Sequence, residues 1–313
     1  MTILKKKAKY ERSTLWGTIK YYRYFYLFLL IPMAYYVIFC YIPIYGVTLA
    51  FKEFRYDKGI FNSPWVGFDN ITRLLKDKDF ARAFSNTLII SLSRIFICFP
   101  VSIMTALFLN ELSRPGIKKT YQTFLTIPHF FSWVVVAGLI INLLSEQGTI
   151  NQIIRALGGA TISPLTNPAS FRWVLYFGQM WKESGWDSII FLAAIAGIDP
   201  ELYAAASIDG ANKMQSLWHI TLTGIRSTVV IMLILAIGSS MTSNFDAIFN
   251  LYNPSVYSTS DVLGTFVYRQ AFRERADFAY AAAAGMFTSL ASLILVFSAN
   301  FITKKIFKEE GIM

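Results

Sequence analysis

The chain is poor in the residues that soluble catalysis and metal binding draw on. Its 313 residues include two cysteines and two histidines. Cys40 and Cys98 both lie inside apolar runs, a placement that suits neither a disulfide framework nor a metal site. His129 and His219 stand far apart, with no nucleophile or metal-ligating constellation around either, so an intramembrane enzyme is the weakest class to consider. Gly-x-x-x-x-Gly-Lys-Ser/Thr occurs nowhere, so the chain is not its own P-loop ATPase. Charged residues amount to 15%, well below the roughly 25% of ordinary soluble domains, and no soluble domain or internal repeat is evident.

What is present is apolar surface. Hydrophobic residues make up 55% and aromatic residues 16%, a composition for a bilayer chain with aromatic belts at both interfaces. The formal charge of +10 points away from nucleic acid, because Lys and Arg sit in short clusters at the ends of apolar runs. Those runs predict an all-α membrane protein with six transmembrane helices. The first three cover about Arg23–Leu49 (with Pro32 and Pro43 tolerated as kinks), Phe84–Leu109 and Tyr121–Leu144. The others cover about Arg172–Gly197, Ser227–Phe249 and Ala279–Thr303. This divides the chain into a basic N-terminal segment 1–22, a transmembrane domain 23–303 and a tail 304–313. The first apolar run is far longer than a signal-peptide core and is expected to be a retained helix. Fifteen Lys and Arg fall on the side of the termini and twelve on the other, where longer loops mix them with acids, so both termini are expected in the cytoplasm.

Between the fourth and fifth spans lies a polar stretch, 199–225, on that same side. Asp199 is a good N-cap, Pro200 suits the first helical position and Glu201 lies in the first turn, so a short helix is expected to start here. Ala204, Ala205 and Ala206 leave that helix bare, open to the close approach of another backbone. Asp209-Gly210 stops it, and a second helix is expected to begin near Asn212. An interfacial connector would need no more than this. Ala205, Ala206, Asp209, Gly210, Ala211, Ile220 and Leu222, however, fall on a longer pattern, Glu-Ala-Ala, two residues, Asp-Gly-Ala, then Ile-x-Leu-Pro. In this the chain resembles the binding-protein-dependent ABC importer permeases, whose cytoplasmic coupling loop carries the pattern. Two positions depart from it: the Glu is Ala204 here and the Pro is Thr223. The missing Glu puts one charged contact to the ATPase in doubt, for which Glu201, one turn earlier, is the available substitute.

Ionisable residues at membrane depth are expensive and face a protein interior or a watery path. The fourth span carries the densest set, Gln179, Trp181, Lys182, Glu183, Trp186 and Asp187, with Gly185 offering a bend. Lys182 and Glu183 are adjacent and expected to point apart. Glu183 and Asp187 share a face at i, i+4 and repel unless a cation or donor lies near, while Lys182 and Trp186 bring an ammonium and an indole together on another face. The fifth span ends in Asn244 and Asp246, preceded by Ser239, Ser240 and Thr242, hydroxyls of the kind that ordinarily join helices. Arg94, a third of the way into the second span, is expected to pair with a carboxylate such as Asp187 or Asp246. His129, Phe130, Phe131 and Trp133 open the third span and suit packing or an interface belt, with Trp133 also a candidate for the pathway. Structural ion pairs are the competing account of the charges.

Aromatic faces beside amides and carboxylates are what a sugar needs, stacking on its CH faces and bonding its hydroxyls. The resemblance is strongest to the oligosaccharide and polysaccharide branch of those permeases, around WKESGW and SNFDAIFNLYNP, and implies an oligosaccharide cargo; Lys182 and Arg94 hint at an acidic one. It also implies the setting: a bacterial inner membrane, a second homologous permease, two ATPase subunits that hold the ATP and Mg, and an external solute-binding protein. No cofactor is expected on this chain, and no nucleic acid partner. The alternatives are a permease for another polar solute, peptide or amino acid, and a secondary transporter, against which the lack of repeat symmetry counts.

Overall fold

The computed structural model describes residues 15–241, 245–274 and 276–307. Among these the fold is helical throughout, with an isolated antiparallel bridge between Lys52 and Trp65 and no strand. After a short helix α1 (Leu15–Tyr21), the first long apolar element, α2 (Arg23–Phe51), changes character along its length. It is α-helical over Arg23–Tyr36, π-helical over Val37–Tyr41 and a 3-10 helix over Ile42–Phe51. Pro32 and Pro43 lie within this run, and each lacks the N–H that an undisturbed ladder requires. The α-helical part of α2 buries none of its residues, whereas Leu49 and Ala50 at its far end are packed into the bundle.

A small amphipathic helix, α3 (Asp69–Lys76), leads into α4 (Lys78–Glu111), whose 34 residues make it roughly 50 Å long at 1.5 Å per residue. Asp77 caps α4, its carboxylate accepting from the Asp79 backbone N–H at 2.8 Å. The most extensive packing in the fold is between α4 and α8 (Pro168–Ala196). Asn167 caps α8 by accepting from the Ala169 N–H at 3.0 Å, and Pro168 fills its first turn.

Two expectations are corrected. The third span is not one helix over Tyr121–Leu144. Helix α5 (Pro115–Thr126) passes into a 3-10 turn, Ile127–Phe130, and a new helix α6 (Trp133–Leu144) starts after Ser132, whose hydroxyl accepts from the Val135 N–H. Pro128 cannot continue the ladder, and Ser132 supplies the next start. The fifth span is not one helix to Phe249 either: α11 ends at Ser239, and a separate helix α12 covers Phe245–Leu251. At Gly185, where the sequence offers a bend, α8 stays helical, and a Cβ there would run into the backbone carbonyl of Leu125 on α5, so the glycine serves a close helix crossing.

Between α8 and α11 (Arg226–Ser239) stand α9 (Pro200–Ile208) and α10 (Lys213–Gly224), with α7 (Thr149–Ala156) earlier in the chain. The chain closes with α13 (Leu263–Arg269) and α14 (Phe278–Phe307). Among the described residues, four helices are long and apolar enough to cross a membrane: α2, α4, the run Trp133–Ala156 and α14. The count reaches six if two bent pairs each form a span, α8 with α9 at 69° and α10 with α11 at 60°. Three apolar clusters hold the bundle, around Phe171 and Ile248, around Leu74 and Tyr280, and around Phe191 and Ile225. A fully enclosed ion pair, Arg269 bidentate on Asp261 at 2.9 and 2.7 Å, fixes the segment before α14.

Candidate functional site

Two helical stripes face each other across a cavity of about 450 Å³. On α8 the stripe is Gln179, Glu183, Asp187 and Phe191, each four residues from the last, so one face presents all of them. On α4 it is Ser91, Arg94, Cys98 and Ser102, spaced by three and four. Phe99 sets its ring edge-on to Phe191 at 5.7 Å and closes one wall, while Ser239 and Ser240 at the end of α11 contribute hydroxyl and backbone groups. The volume falls in the range of about 300–1,000 Å³ usual for small-molecule sites.

The charges on α8 are ordered by the break between α5 and α6. That break exposes the His129 carbonyl, which accepts from Lys182 Nζ at 2.7 Å. The lysine stem turns back far enough to place the same Nζ 3.0 Å from Glu183 Oε1, and His129 Nδ1 lies 2.6 Å from Glu183 Oε2. Lys182 and Glu183 therefore do not point apart as expected: a flexible four-carbon stem reaches what helical geometry alone would separate. The like-charge conflict between Glu183 and Asp187 is met from both sides. Lys182 and His129 take Glu183, and the Arg94 guanidinium lines the same cavity as both carboxylates.

Of the pathway residues expected from the sequence, Arg94, Gln179, Glu183 and Asp187 line the cavity. Lys182 is 5% exposed and does not, and Trp133 packs against the apolar core with its ring 5.9 Å from the Lys182 ammonium. Trp186 does not pair with Lys182: its indole lies flat on the His129 imidazole, centroids 4.3 Å apart. Trp181 is exposed on a different face of α8. Asp246 is exposed on α12 and lines no part of the cavity, so it partners neither Arg94 nor Lys182; Asn244 lies outside the described residues. Of the lining residues not expected there, Cys98 and Ser102 had a signal in their i, i+4 spacing along the second span, whereas Phe99 and Phe191 had none.

The stretch 199–225 forms the two helices expected. Asp199 caps α9 by accepting from the Glu201 N–H at 2.9 Å, Gly210 turns the chain at φ +79°, and Asn212 opens α10 in a capping box with Gln215. Tyr203 and Thr221 join the two helices by a 3.0 Å hydroxyl contact. No residue of α9 is buried: Glu201, Ala204 and Ala205 are exposed, as are Asp209 and Gly210, and Ala206 and Ala211 are half-buried. Ile208 stands 87% exposed at its end, an apolar tip without cover in the chain itself.

A helical bundle encloses a cavity lined by charged and hydroxyl side chains amid apolar ones, and a bare, capped helix is turned out between two of its long elements. Residues 98–308 match the family described as binding-protein-dependent transport system inner membrane component. The chain belongs to this family. It is 38% identical over 297 residues, 95% of this chain, to protein LplB of Bacillus subtilis, covering 93% of that protein. It is 40% identical to the polygalacturonan/rhamnogalacturonan transport system permease protein YteP of the same organism, over 93% of this chain and 90% of YteP. Among solved structures, a bacterial ABC transporter involved in import of the acidic polysaccharide alginate superposes with a TM-score of 0.86 at 37% identity, covering 93% of this chain and 99% of that one. A second, the alginate transporter in complex with alginate pentasaccharide-bound periplasmic protein, gives 0.87 at 35% identity, over 96% of this chain and 100% of that chain. The permease is thus a multi-pass membrane protein, and YteP is named as a component of a transport system.

Proposed function

We propose that this permease is one half of the translocation path of an ATP-driven importer that takes up oligosaccharides, acidic ones included. The observation that carries this is the cavity between α4, α8 and α11: serine hydroxyls, the Gln179 amide and an arginine line it beside two phenyl rings. Those groups suit a sugar ring and its substituents. The carbohydrate cargoes named for similar permeases and structures support the same reading.

In this proposal six spans cross the membrane, with both termini and the 199–225 elbow in the cytoplasm. A second, homologous permease completes the path, and two ATPase subunits, holding the ATP and Mg, each grip one coupling helix. The solute-binding protein delivers cargo from outside. Closure of the ATPases would move α9 as a capped, stiff unit, and Tyr203 would carry that movement to α10 and the spans beyond. The uncovered length of α2 meets lipid and the second permease. Uptake in proteoliposomes tests the reading. The complete importer with its binding protein is expected to accumulate labelled oligogalacturonate or alginate oligosaccharide only with ATP inside. ATP-dependent uptake of peptides, with sugar oligomers refused, would overturn it.

A further inference from the structure

Helices α4 and α8 run in the same sense. Arg172, near the start of α8, donates to the Asn86 amide oxygen on α4 at 2.8 Å, and further along both helices Phe99 meets Phe191. The cavity between them has two unlike ends. Phe99, Phe191 and Met232 belong to one apolar cluster at the first. Gln179 stands toward the second, on the same face of α8 as Phe191 and about 18 Å from it along the axis at 1.5 Å per residue. Several of the polar groups around the cavity are engaged within the protein. Both oxygens of Glu183 are occupied, one by Lys182 and one by His129. The hydroxyls of Ser91, Ser102 and Ser239 donate to the backbone carbonyls of Ser240, Cys98 and Ala236. Gln179 is different. It is 8% exposed and lines the cavity, and among the described residues its amide has no hydrogen-bond partner.

A buried amide without a partner costs stability, and an apolar side chain of the same length would serve the empty fold at least as well. Its placement is accounted for by something that enters the cavity. An amide donates through its nitrogen and accepts at its oxygen, so a partner that only accepts, such as a carboxylate, leaves half of it unmatched. Two neighbouring hydroxyls of a sugar ring, each able to donate and to accept, match both halves. We propose that Gln179 is a specificity-determining residue of this permease, reading a pair of adjacent ring hydroxyls on the cargo at the polar end of the cavity. The proposal rests on the cavity being the cargo path. It concerns hydroxyls, which neutral and acidic sugars share, and a cargo without them leaves the amide unpaired, which is how a buried hydrogen-bonding group discriminates.

The test uses the assembled importer in proteoliposomes with its binding protein and labelled oligogalacturonate, alongside thermal unfolding of the same complex. Gln179→Met keeps the length of the side chain and removes its hydrogen-bonding groups. It is expected to lower uptake at limiting cargo by about tenfold, as the loss of two neutral hydrogen bonds would, with the thermal midpoint unchanged or raised. Gln179→Asn, whose amide is one methylene short, is expected to fall between Gln179→Met and the wild type. A lowered midpoint or failed assembly of Gln179→Met would mark the amide as structural and overturn the proposal. Near-normal uptake by Gln179→Met at limiting cargo would overturn it equally. Failure of the wild-type importer to take up the sugar would sink the cargo reading itself, an outcome distinct from a wild type that transports and a variant that does so equally well.

Discussion

The indole of Trp186 lies on the imidazole of His129 with the two planes 3° from parallel. The contact ties the middle of α8 to the turn between α5 and α6, and Phe130 adds a ring edge-on to the indole at 5.7 Å. One face of Trp186 is therefore covered by protein. Stability of the assembled complex, more than cargo affinity, should report its loss: Trp186→Ala is expected to lower the thermal midpoint, with the stack itself contributing about 0.5–1.5 kcal/mol beyond area burial. A drop in sugar uptake with an unchanged midpoint would show the ring to be a cargo platform.

Lys182→Met removes the ammonium from a site where its side chain is 7% exposed and Glu183 19%. Glu183 is left with His129, and breaking a buried pair in this way is expected to cost about 3–5 kcal/mol. The double variant Lys182→Met with Glu183→Gln should recover much of that loss, because no uncompensated charge remains. Thermal unfolding of the four members of the cycle measures it, and strictly additive losses would refute the pairing.

Gly185 and Gly138 make a matched contrast. A Cβ at Gly185 meets the Leu125 backbone, whereas one at Gly138 meets nothing within 4 Å. Gly185→Ala is expected to force α5 and α8 apart at a cost of about 1–3 kcal/mol. Gly138→Ala, in a helix interior with open space, should be neutral or stabilise by about 0.5–1 kcal/mol. Equal midpoints for the two variants would contradict the crossing described.

At Gly210 the constraint is of another kind. Its φ of +79° is unfavourable to side chains, yet a Cβ there meets nothing within 4 Å. Gly210→Asn is expected to be tolerated and Gly210→Val to strain the turn by about 1–2 kcal/mol. If the turn positions α9 on an ATPase, Gly210→Val should weaken stimulation of ATP hydrolysis by loaded binding protein while Gly210→Asn retains it. The reverse order of the two would show that the helix does not act through this turn.

Orientation has its own check. A cysteine at Asn212, an exposed cap on α10, is expected to resist an impermeant thiol reagent added outside intact cells and to react in inverted vesicles. Labelling from outside would reverse the topology.

The sequence by itself determined the elements whose causes are local. Asp199, Pro200, Gly210 and Asn212 specify the caps and the turn of the elbow from neighbours within four residues, and all four act in the structure as their chemistry requires. Long apolar runs likewise determined that the chain is an all-helical membrane protein, because the bilayer leaves no other use for them. The broken elements were half legible. Pro128 and Ser132 mark the break locally, but the apolar run across Tyr121–Leu144 is long enough to read as a single span. What only the tertiary structure decided was partnership at a distance. Lys182 reaches His129, 53 residues away, and Trp186 stacks on the same residue, because the break between α5 and α6 happens to lie beside the middle of α8. Nothing in the spacing of α8 announces that. A buried charge takes whichever donor or acceptor the packing of other helices brings within reach, so its role follows from the fold and not from its own segment.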